Sequence, residues 1–63
     1  MDPNATLKEL ETNLTNAAFA NIKLVNFWLC EDLKNWLDKK GFEPDWDKYP
    51  AATAYYRKFQ EQL

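Results

Sequence analysis

Residues 17–40 constrain the fold most, because they keep a helical pattern without interruption and end at the only glycine, Gly41. At about 100° per residue, Ala18, Ile22, Val25, Leu29, Leu33 and Trp36 fall on one face. Their spacings of four, three, four, four and three are helical, not alternating. Phe19, Cys30 and Leu37 border that stripe. The opposite side changes character along its length. Ala17, Ala20, Leu24, Phe27 and Trp28 make its first half apolar, whereas Glu31, Asp32, Lys34, Asn35 and Asp38 make its second half polar. A helix that is apolar nearly all round is normally covered on both sides. Its first half therefore needs a second cover near Leu24, Phe27 and Trp28.

The stop of this helix is expected at Lys40. Asp38-Lys39-Lys40 places cations near the negative end of the helix dipole. Gly41 is the expected left-handed residue of a Schellman-type stop, with Phe42 turned back on Leu37. Pro44 prevents an early restart.

A further helix is expected on each side. Asp2-Pro3 is a start signal, since Asp caps and Pro suits the first helical position. Thr6 with Glu9 offers an alternative capping box. Leu7, Leu10 and Leu14 give helix 1, at about residues 3–14, its apolar stripe. Thr12, Asn13, Thr15 and Asn16 are poor helix formers and good caps, so a break is expected at Thr15–Asn16. The alternative is one helix of roughly 37 residues, long for a compact domain and in need of a dimer. Residues 42–49 form an acidic connector whose Phe42, Trp46 and Tyr49 are expected to lie on the bundle. Pro50 opens a last helix, at about 50–62, with Ala52, Tyr55, Tyr56, Phe59 and Leu63 inward. The fold expected is an all-α, small three-helix bundle with a long central helix, forming a single helical domain over residues 1–63.

At 63 residues, burial gains of about 25 cal/mol per Å² nearly cancel the cost of ordering the chain. One cysteine forms no internal disulfide, and without histidine zinc-type sites lack their usual ligands. Packing among four Phe, three Trp and three Tyr, or self-association, must supply the deficit.

Most chemical functions find no residues here. Glu43, Asp45 and Asp47 alternate like a calcium loop, but Pro44 intrudes, the glycine is missing, and Ala54 stands at the bidentate position. No metal and no cofactor are expected. Cys30 has no imidazole to activate it and sits on an apolar border, as a core thiol does. No catalytic residues emerge, and the chain is not expected to be an enzyme. A net charge of −2 offers no footprint for a polyanion, and no small-molecule substrate is implied. No run of about 18 apolar residues spans a membrane. Asn4-Ala5-Thr6 and Asn13-Leu14-Thr15 match the glycosylation triplet by chance, since the first residues do not read as a signal peptide. An unpaired cysteine then fits a reducing, cytoplasmic setting.

Residues 36–46 resemble a Trp-Leu…Gly-Phe-x-Pro stretch of short bacterial reading frames, a likeness that implies no activity. Two function classes remain. The first is a non-catalytic protein–protein interaction module, a self-associating accessory or regulatory protein of a bacterium or phage. Its interface would be Ala20, Leu24, Phe27 and Trp28, and its partner a second copy or a host protein. The alternative is a nucleic-acid accessory protein using Tyr55, Tyr56, Arg57 and Lys58 with Lys39 and Lys40. Helices 1 and 3 covering both sides of the central helix would instead make the Leu24–Trp28 face internal.

Overall fold

The computed structural model describes residues 2–16 and 23–62. It is all-α: helix α1 is Pro3–Thr15, α2 is Lys23–Asp38 and α3 is Pro50–Glu61, with a short 3-10 turn at Trp46–Lys48. The expected three-helix bundle is present. The proposed start of the central helix at residue 17 lies outside the described residues.

Helix α1 starts as its first residues dictate. The Asp2 carboxylate accepts from the Asn4 N–H at 3.0 Å, and Pro3 occupies the first turn. Thr6 is not the cap, because its hydroxyl donates back to the Asp2 carbonyl at 3.2 Å. Two more hydroxyls bond back one turn, Thr12 to the Lys8 carbonyl and Thr15 to the Glu11 carbonyl. Such back-bonding weakens a helix. The backbone then turns extended at Asn16, with φ −103° and ψ 115°. Helices α1 and α2 are therefore separate, and the single long helix is ruled out.

The end of α2 corrects the expectation in two ways. The helix stops at Asp38, so Lys39 and Lys40 follow it rather than form its last turn. The left-handed residue is Lys40, with φ 69°, and not Gly41. The Lys40 N–H donates to the Leu37 carbonyl and the Gly41 N–H to the Trp36 carbonyl, each at 3.0 Å. That pair of bonds is a Schellman stop with Lys40 in the place glycine usually takes. Gly41 is required for space instead. A Cβ there would run into the Trp36 indole, whose Nε1 donates to the Phe42 carbonyl at 2.9 Å.

The core is Leu7, Leu10, Cys30, Leu33, Ala52, Tyr56 and Phe59, rimmed by Leu14, Leu29, Leu37, Trp46, Tyr49 and Tyr55. Helix α1 packs along both other helices, whereas α2 and α3 meet over a short stretch. The first helix, not the long one, is therefore the hub. Along α2 the buried residues are Asn26, Cys30 and Leu33. The inward stripe is thus rotated from the expected one, and Cys30 moves from its border to its centre.

Tyr56 stacks between Trp46, at 5.6 Å, and Phe59, at 6.1 Å, and Phe59 meets Phe27 edge-on at 5.4 Å. Ring contacts of this kind add about 0.5–1.5 kcal/mol each beyond burial, which suits a core without a disulfide. The connector lies on the bundle through Trp46 and Tyr49, but Phe42 does not. It stands 59 % exposed, edge-on to Trp36.

Polar bonds fix the register between helices. Asn13 Nδ2 donates to Asn26 Oδ1 at 3.1 Å, joining α1 to α2. The Ala52 N–H, in the first turn of α3, donates to Glu11 Oε1 at 2.8 Å. The Asp45 N–H donates to Asn4 Oδ1 at 2.7 Å, and the Thr53 hydroxyl to the Trp46 carbonyl at 2.9 Å.

Candidate interaction surface

The rotation of α2 decides which of its side chains face outward. With Asn26, Cys30 and Leu33 inward, Leu24, Phe27 and Trp28 project from the other side, at 60 %, 44 % and 51 % exposure. Phe59 of α3 meets Phe27 edge-on at 5.4 Å, and all three side chains still keep 44 % exposure or more. Ala20, the fourth residue of the expected interface, lies outside the described residues.

Charges bracket the patch along the helix. Lys23 lies one turn before Phe27 and Glu31 one turn after, and both are exposed. Beside Phe27, the contact of α2 with α3 leaves a shallow cleft of about 160 Å³ lined by Phe27, Tyr55, Lys58, Phe59 and Gln62. That is below the roughly 300 Å³ of an ordinary small-molecule site.

The other singled-out residues fall elsewhere. Cys30 is completely buried, and burial pushes its thiol up to about 11, which keeps it protonated and unreactive at neutral pH. The Tyr56 hydroxyl is also raised, by burial first and then by the charge of Asp38 and of Cys30, against a hydrogen bond from Gln60. Arg57 and Lys58 are exposed but diverge: Lys58 borders the Phe27 cleft, and Arg57 borders another with Glu43 and Trp46. Lys39 and Lys40 are exposed beyond the end of α2. Among the described residues no group of His, Cys, Asp and Glu side chains could hold a metal ion. No helix among them is long and apolar enough to cross a membrane.

Sequence reasoning missed two residues that set this surface. Asn26 is 2 % exposed and bonded to Asn13, and Glu11 reaches across to the start of α3. Asn26 had a signal, since Asn26, Cys30, Leu33 and Leu37 repeat at helical spacing once Cys30 is taken as the centre. Glu11 had none, because its partner lies 41 residues away in the chain.

Comparison with family models, with curated proteins and with solved structures returned no match.

Proposed function

We propose that this protein is a non-catalytic helical interaction module that works by self-association through Leu24, Phe27 and Trp28. One observation carries the reading: three large apolar side chains stand near one another on α2, each 44 % exposed or more, outside the helix's buried stripe. Adjacent Phe and Trp at a surface are the usual anchors of a protein interface. A chain of this size also gains from the added burial. Two-fold pairing would set each patch against its copy.

The test is a double change, Leu24→Gln with Trp28→Gln, in residues that stand away from the core. Light scattering should show the variant monomeric where the wild type associates, with an unchanged helical circular dichroism signal. Association that survives the change would overturn the proposal.

A further inference from the structure

We infer that the partner of this surface is a second copy of α2 running antiparallel, with Lys23 of each copy facing Glu31 of the other. This rests on the self-association proposed above and adds its geometry.

The residues are placed symmetrically. Lys23, Phe27 and Glu31 follow one another at four-residue intervals, on neighbouring positions of one helix face. Lys23 therefore lies about 6 Å before Phe27 along the helix axis, and Glu31 about 6 Å after it. A two-fold axis through Phe27 maps one onto the level of the other. Antiparallel pairing then sets a cation against an anion at both ends of the patch. Parallel pairing sets Lys23 against its own copy and Glu31 against its own copy, which repels.

Two further observations favour this arrangement. Lys23 and Glu31 are both exposed, and neither is in an ion pair among the described residues. Among the described residues the one ion pair is Lys34 with Asp38, at 2.7 Å. Lys34 is thus already engaged by Asp38, which leaves Glu31, one turn after Phe27, and Asp32, one turn after Trp28, as the charges at the C-terminal end of the patch, both negative. The helix dipoles also oppose each other in an antiparallel pair, which places the positive end of each α2 beside the negative end of its partner.

Half-exposed Phe27 and Trp28 rings offer roughly 100 Å² each, short of the about 800 Å² per partner that a stable interface needs. A two-fold pair must therefore bury Leu24 and the flanking stem of Lys23 as well as the two rings.

Sedimentation equilibrium on the full chain at low salt tests this with Lys23→Glu, Glu31→Lys and the double variant, each checked for helical content. Each single change should weaken the dimer on the order of tenfold, since it creates two like-charge pairs. The double variant should return to within about threefold of wild type, because the pairs are re-formed with signs exchanged. High salt should shrink both differences. A dimer that neither single change weakens overturns this geometry alone, as does weakening that the double variant does not restore. A wild-type chain that stays monomeric overturns the self-association as well and points to a different protein as partner.

Discussion

Asn13 Nδ2 donates to Asn26 Oδ1 at 3.1 Å, across the contact between α1 and α2. Asn26 is buried and Asn13 half-buried, so the bond replaces water that one partner has lost. It also fixes how α2 is turned on α1, and hence which residues of α2 face out. Asn26→Ala should cost about 1–3 kcal/mol in urea denaturation, the penalty of breaking a buried hydrogen bond and leaving a void. A cycle with Asn13→Ala should give a coupling of about 1 kcal/mol. Additive effects would show that the pair contributes nothing as a pair.

Glu11 caps a helix far from it in sequence. Its Oε1 takes the Ala52 N–H, one of the donors that the first turn of α3 leaves without an internal partner. Tyr49, at the cap position itself, supplies no side-chain bond. Glu11→Ala should destabilise by about 1–2 kcal/mol, as loss of a helix cap does. Glu11→Gln should cost less, since it keeps an acceptor and loses only the charge at the helix N-terminus. Equal losses for the two variants would mean that the carboxylate's charge, not its hydrogen bond, matters.

Lys40 and Gly41 should respond in opposite directions. Lys40 holds the left-handed conformation, so Lys40→Gly should stabilise by up to about 1 kcal/mol. Gly41→Ala should destabilise by about 1–3 kcal/mol, because the added methyl meets the Trp36 ring and overpacks the stop. Thermal melts of the two variants check this. An unaffected Gly41→Ala would show that the indole moves aside at little cost.

What was legible in the chain follows from how local each cause is. The Asp2-Pro3 start, the Thr15–Asn16 break and the Pro50 start depend on neighbours within one turn, and the structure has all three. The position of the second stop was legible to within two residues, but the duties of Lys40 and Gly41 were not. A lone glycine after a helix reads as a left-handed cap, and only the packed position of Trp36 shows that it makes room for a ring. The inward face of α2 was misplaced because Asn26 counts as polar in any hydrophobic pattern, while its amide is paired inside. Leu24, Phe27 and Trp28 stood out regardless, since three apolar residues opposite an apolar stripe exceed what one helix face buries.

Cys30 predicts an alkaline weakness. The thiol is raised from its ordinary 9.0 to about 11 by burial. The folded state therefore keeps a proton that the unfolded state releases between those values. Stability from this group is complete below about pH 9 and falls as pH rises toward 11, by on the order of 2 kcal/mol in all. Cys30→Ala should be less stable at neutral pH, from the lost packing, yet decline less between pH 9 and 11. Folded wild type should react with a thiol reagent only as fast as it opens. Rapid modification without unfolding would contradict the burial.

The proposed function requires that a second copy cover Leu24, Phe27 and Trp28 in solution. Sedimentation equilibrium of the wild-type chain from micromolar to millimolar concentration tests it most directly. A monomer–dimer equilibrium is expected, with a mass that rises to twice that of the 7.5 kDa chain. A single monomeric mass across the whole range would contradict it.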